Sequence, residues 1–275
     1  IIRADWLGRA QQCYQPMGDM YVEMDHGDDI SGYRRTLDLS EGIVRIEYMA
    51  GDIRYTRKYF ASYPDHIIAL RITADKPGAI DCKLRFSTHH EPTAHFAADG
   101  EVLMMQGKVP GFALRRNFDL VERLNDEHKY PEIYEKNGTL RSGADNVLYD
   151  EQIDGLGMAF DCRVQTVHTG GRFTVSDDHI RVENADEVVF MITAATSYNG
   201  FDKSPAYEGR DPALQTIKQL QAVRGMSWQE LYRRHIRDYR QLFDRVRIDL
   251  GDMTAQSQLP TDRRVELFSN GKDPS

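Results

Sequence analysis

The sequence predicts a mainly β protein, a large two-sheet antiparallel β-sandwich (a super-sandwich) followed by a short α-helical linker. Three observations carry this. Apolar and polar residues alternate with period two ahead of Tyr198. The spacing becomes helical after it, and a turn-rich stretch interrupts the alternation between Lys108 and Asp150. The expected domains are 1–200, an N-terminal β-sandwich, and 201–275, a helical linker with a return strand.

Taken in order, Val44, Ile46 and Tyr48 share one face of a strand over 43–49, and Arg45 and Glu47 the other. Ala50-Gly51-Asp52 turns the chain into a second strand over 53–60. Ile68, Leu70 and Ile72 mark one face over 66–73. Over 80–87, Ile80, Cys82, Leu84 and Phe86 point inward against Asp81, Lys83 and Arg85. Met158, Phe160, Cys162 and Val164 repeat the pattern before a Thr169-Gly170-Gly171 turn. The run over 188–194 is more continuously apolar, as a strand covered on both sides would be. Many short strands at hairpin-like spacing point to a sandwich or barrel.

The excursion from Lys108 to Asp150 carries Pro110-Gly111, Tyr130-Pro131, Asn137-Gly138 and Ser142-Gly143. Its aromatics, Phe112, Phe118, Tyr130, Tyr134 and Tyr149, argue for order and for a functional loop. Beyond it, 211–223 reads as a helix with Pro212 in its first turn and Gly225 as its stop. Ser227-Trp228-Gln229-Glu230 is a capping box. It opens a helix over 227–245 whose stripe (Leu231, His235, Tyr239, Leu242, Phe243) is expected to be buried between the sandwich and another layer. Residues 246–251 read as extended, and 261–269 as a short helix capped by Thr261.

The chain has 275 residues with 35 Lys and Arg against 43 Asp and Glu, a formal net charge of -8. That balance speaks against a nucleic-acid partner, and no apolar run is long enough for a membrane span. Cys13, Cys82 and Cys162 are too few and too scattered for a disulfide framework or a structural zinc site. The expected location is periplasmic or secreted, in a bacterium, with the cytoplasm left open. The chain starts without an initiator Met and stops within an element, so it reads as a piece of something longer.

Thr88-His89-His90-Glu91, with His95 nearby, is a metal candidate, but on a strand His89 and Glu91 face away from His90. Ordinary hydrogen-bonded residues, and no metal, are expected there. His235 with Asp238 and Tyr239 could form a general-base couple, although its place on the apolar stripe favours an interface histidine. No phosphate loop, G-x-S-x-G or H-E-x-x-H occurs, and no catalytic residue and no cofactor are assigned.

A series of segments, in order, carries a resemblance. It begins with Tyr14-Gln15-Pro16-Met17-Gly18-Asp19-Met20, Tyr33-Arg34-Arg35-Thr36-Leu37 and Tyr55-Thr56-Arg57-Lys58-Tyr59-Phe60-Ala61-Ser62. It continues through Ala194-Ala195-Thr196-Ser197-Tyr198-Asn199 and His235-Ile236-Arg237-Asp238-Tyr239 to Leu259-Pro260-Thr261-Asp262-Arg263-Arg264. From Cys13 to Pro274 the chain resembles the N-terminal part of glycoside hydrolase family 95, the α-L-fucosidases and α-L-galactosidases. The resemblance implies a β-sandwich joined by a helical linker to an (α/α)6 barrel in the same polypeptide. There an inverting active site uses a Glu as general acid, and Asn residues with an Asp help activate water. The motifs for that site are expected beyond this chain.

The expected function is therefore the non-catalytic N-terminal domain of a hydrolase acting on fucosylated or galactosylated glycans. Arg115, Arg116, Tyr130 and Tyr134 of the excursion are the candidate substrate-binding residues, since Arg and Tyr offer donors and flat faces to sugar rings. The alternatives are an independent carbohydrate-binding module and the sandwich of a related disaccharide phosphorylase.

Overall fold

A computed structural model of the chain describes residues 14–149, 157–249, 251 and 255–271. Cys13, Asp150, Leu250 and the first and last residues discussed above lie outside the described residues. The first strands are β1 (Asp19–Met24), β2 (Ile30–Asp38), β3 (Ile43–Ala50), β4 (Ile53–Ser62), β5 (Ile67–Ala74) and β6 (Ile80–Ser87). Then come β7 (His95–Asp99), β8 (Val102–Lys108), β9 (Phe112–Ala113), β10 (Val147–Leu148) and β11 (Ala159–Thr169). The last are β12 (Arg172–Val175), β13 (His179–Ala185) and β14 (Glu187–Thr196). Among the described residues the α-helices are α1 (Phe118–Arg123), α2 (Pro212–Val223), α3 (Trp228–Phe243) and α4 (Thr261–Ser269).

The expected two-sheet antiparallel sandwich is what forms. An eight-stranded sheet runs β2-β3-β4-β5-β14-β11-β8-β7, a four-stranded sheet runs β1-β6-β13-β12, and β9 pairs with β10. Period-two alternation drives it, because alternate side chains leave opposite faces of a pleated strand. Ile80, Cys82, Leu84 and Phe86 of β6 meet Leu70 and Ile72 of β5 and Val188, Phe190 and Ile192 of β14 in the main core. Phe160, Cys162 and Val164 of β11 and Leu103 and Met105 of β8 complete it. Cys82 and Cys162 are free thiols in that core, and burial pushes each up to about 12, so neither is a nucleophile at neutral pH.

The other face of the large sheet takes the helices. Ile43, Phe60, Ile67, Ala69, Val189 and Met191 pack against Leu220, Val223, Trp228 and Leu231. Asp211 caps α2 through the amides of Ala213 and Leu214, and Gly225, at φ 78°, takes the left-handed turn that stops it. The capping box of α3 forms as expected: Glu230 accepts from the Ser227 amide at 2.8 Å, and Ser227 Oγ accepts from the Glu230 amide at 3.3 Å.

Along α3 the stripe is buried only over its first turns. Leu231 and His235 are buried, whereas Leu242 is 65% and Phe243 40% exposed. Apolar spacing marked the face of the helix, but how far along it a covering layer extends is set by the packing partner. The chain divides near the same place into two compact units, 1–239 and 240–275. In the second unit, 246–249 forms no strand, since an extended segment needs a neighbour to pair with. The cap position of α4 is Pro260 and makes no side-chain hydrogen bond, so Thr261 opens the helix without capping it.

Candidate functional site

The excursion has a hydrophobic core of its own. β9 and β10 close it, pairing Phe112 with Leu148 and Ala113 with Val147. Asn117 caps the short α1 by accepting from the Leu120 amide at 3.0 Å. Gly138, at φ 84°, reverses the chain so that the Glu135 amide donates to the Thr139 carbonyl at 2.8 Å. Phe112, Val121, Tyr130, Ile133, Tyr134 and Leu148 are then buried together. This burial offsets the cost of ordering so long a segment, about 1–2 kcal/mol per fixed residue.

His90 ties the excursion to the sandwich. Its Nε2 donates to the Pro16 carbonyl at 2.9 Å, which leaves Nδ1 of the neutral ring to accept from Tyr149 Oη at 3.1 Å. Burial lowers the His90 pKa below its ordinary value. With both nitrogens used, His90 is a clasp between three segments. No group of three or more His, Cys, Asp or Glu that could hold a metal ion occurs among the described residues.

The candidate site residues separate. Arg115 and Arg116, with Asn117 and Leu120, line a surface depression of about 520 Å³. Arg116 Nη1 pairs with Asp126 Oδ2 at 2.6 Å, and Lys129 Nζ holds the other oxygen at 2.6 Å. The Lys129 hydrogen bond, with help from Arg116, keeps the Asp126 carboxyl below its ordinary range. Tyr130 and Tyr134 instead sit in the excursion's core, 4% and 1% exposed, with their rings edge-on to Phe112 and Phe118. Neither hydroxyl has a hydrogen-bond partner among the described residues. The depression therefore offers two guanidinium groups, one braced by a carboxylate, while the tyrosines support it from within.

His235 stands at an interface. Its ring stacks on Phe60 at 4.7 Å and its Nε2 donates to the Glu41 carbonyl at 2.8 Å. Tyr232 Oη donates to Glu41 and Tyr239 Oη to the Leu39 carbonyl, so three α3 side chains clamp the β2–β3 turn. Gly42, at φ 62°, lies under the Tyr239 ring, where an added Cβ would come within 2.9 Å.

A buried polar cluster under α2 escaped the sequence reading. Asp161 accepts from Arg163 Nε at 3.0 Å, from Gln106 Nε2 at 2.6 Å and from the Thr216 hydroxyl of α2. Arg163 also reaches Asp99 at 3.0 Å. Both residues fall in the polar phase of β11, which alone reads as a solvent face; only the docked helix turns it into an interior.

A broad antiparallel sandwich carries a capped helical connector on its larger sheet. The chain belongs to the family described as "Glycosyl hydrolase family 65, N-terminal domain", matched over residues 3–200. Residues 227–275 match the "Glycosyl hydrolase family 95 catalytic domain". Together these fit the N-terminal resemblance to family 95 seen in the sequence.

"Alpha-L-fucosidase 2" of Arabidopsis thaliana is 29% identical over 98% of this chain and 30% of its own length. "Probable alpha-fucosidase A" of Aspergillus niger is 23% identical over 95% of this chain and 28% of its own. The chain thus spans less than a third of these relatives. A solved structure described as a kojibiose phosphorylase from human microbiome covers 83% of this chain and 28% of its own, at 8% identity and a TM-score of 0.48.

Proposed function

We propose that the chain is the N-terminal, non-catalytic part of a fucosidase-like hydrolase that removes terminal α-L-fucose, or L-galactose, from glycans by inversion. In this reading it supports a catalytic (α/α)6 barrel in the same polypeptide. The observation that carries it is the alignment along 98% and 95% of the chain to relatives named as fucosidases. The test is to assay the full polypeptide on aryl α-L-fucoside and α-L-galactoside, following the first anomer released by NMR. Release of the β-anomer, with none from this chain alone, is expected. Retained α-anomer would overturn inversion. Turnover only with inorganic phosphate would point to a phosphorylase, and sugar binding without any turnover to a free binding module.

Within that enzyme, Arg115 and Arg116 contact the leaving-group side of a large glycan, and Tyr130 and Tyr134 hold their ledge in place. Arg115→Ala should lower kcat/KM on a branched oligosaccharide on the order of tenfold, the worth of a charge-assisted hydrogen bond. Equal rates for wild type and variant on both that substrate and a small aryl glycoside would remove the ledge from substrate choice.

A further inference from the structure

The two sheets differ in width. Four strands cover eight, and at about 4.8 Å per strand the smaller sheet cannot reach across the larger. Its cover runs from β8 past β5 to Tyr55 of β4 and Tyr48 of β3, both buried, and ends where His26, just beyond β1, meets Tyr48 Oη at 2.8 Å. Beyond that limit β2 has no covering layer, and every one of its residues is exposed.

The registers fix which side chains share this open inner face. Leu37 pairs with Val44 and Val44 with Tyr59, and in the next row Arg35 pairs with Ile46 and Ile46 with Arg57. Tyr33 sits in the bulge between Ser31 and Arg34, next to this row and 57% exposed, and Leu37 in the row is 58% exposed. Arg35 and Arg57 thus stand two strands apart, about 10 Å, on either side of Ile46. No carboxylate lies on this face of β2, β3 or β4.

Arg45, Arg71, Arg85, Arg163, Arg172 and Arg181 of other strand faces each meet a carboxylate. Arg35 and Arg57 form no ion pair among the described residues. Arg57 donates to Tyr48 Oη at 3.2 Å, and its Nε is buried without a hydrogen-bond partner. In a chain of net charge -8, two uncompensated guanidiniums beside an exposed aromatic ring offer both charge and a stacking plane.

We propose that the open inner face of β2, with the adjoining Arg57 of β4, is a binding surface for an anionic, carboxylate-bearing glycan, with Arg35 and Arg57 taking the carboxylates and Tyr33 and Leu37 the sugar faces. This surface is distinct from the Arg115–Arg116 ledge and goes beyond the proposed hydrolase, since it acts by binding alone. It would hold the enzyme on acidic polysaccharide.

The test is native affinity electrophoresis of the full polypeptide at low ionic strength, in gels containing polygalacturonate or its fully methyl-esterified counterpart. Polygalacturonate should retard the protein, and the neutral ester should not. Arg35→Ala and Tyr33→Ala, both at exposed positions, should each weaken retardation, by about tenfold for the arginine. Arg45→Ala, with the same charge change on the opposite face, should leave it unchanged. Four results would overturn the proposal. Equal retardation by the ester would mean no carboxylate is read. An equal loss in Arg45→Ala would mean only bulk charge matters. No retardation of the intact polypeptide would mean another part of it covers the face. A change confined to the sedimentation of Arg35→Ala would mean that a second copy pairs along the β2 edge.

Discussion

The two halves of the eight-stranded sheet are written in the same alternating code and meet different surroundings. In one half, β5, β14, β11 and β8 are covered by the small sheet on one side, with helices packed on the other. Leu70, Ile72, Val188 and Phe190 are fully buried there, and even the polar phase of β11 is enclosed as the Asp161–Arg163 pair. In the other half, α3 clamps only the β2–β3 turn, and β2 itself is exposed along its whole length. Alternation tells a strand to form and which side chains share a face. How many layers lie above that face depends on the width of the partner sheet. The same code therefore yields a rigid scaffold in one half and an open surface in the other.

The sharpest way to break this contrast is in the covered half. Asp161→Ala leaves the buried Arg163 with only the exposed Asp99 as a charge partner and should cost about 3–5 kcal/mol by urea unfolding. A cost below about 1 kcal/mol would mean that water reaches the pair. Next comes the contrast along α3: Leu231→Ala should cost roughly 2–5 kcal/mol, and Leu242→Ala in this chain below about 0.5 kcal/mol. Equal costs would show that the stripe is covered along its whole length.

A smaller effect belongs to the His90 clasp. Its folded pKa lies below the ordinary 6.5, so the unfolded chain binds the proton more readily. Its contribution is fully present above about pH 6.5, falls as pH drops below that value, and is exhausted once the folded pKa is passed. In His90→Gln the part of the pH slope due to this residue should vanish, which denaturation curves between pH 7 and 5 would show; an unchanged slope would place the titration elsewhere. The smallest effect is on the exposed outer face, where Glu47→Ala, breaking the 2.6 Å pair with Arg45, should cost at most about 1 kcal/mol.

Much of the covered half was legible in the residues. Ile80, Cys82, Leu84 and Phe86 declared their common face, and Ser227 with Glu230 declared the start of α3, because both signals are local. The excursion was legible as ordered but not in its use of aromatics: Tyr130 and Tyr134 read equally well as sugar platforms and as core, and a segment folding upon itself makes them core. Asp161, Arg163 and Leu242 depended on a layer arriving from elsewhere in the sequence, which no local period reports. The open face was hidden for the same reason, since it arises from the unequal widths of two sheets.

Amide hydrogen exchange on this chain measures the difference between the two halves most directly. Amides of β5, β14 and β11 should exchange only through global unfolding, while those of β2 should exchange through local opening, orders of magnitude faster. Protection of β2 equal to that of β14 would contradict the account, because it would require a covering layer on the face described here as open.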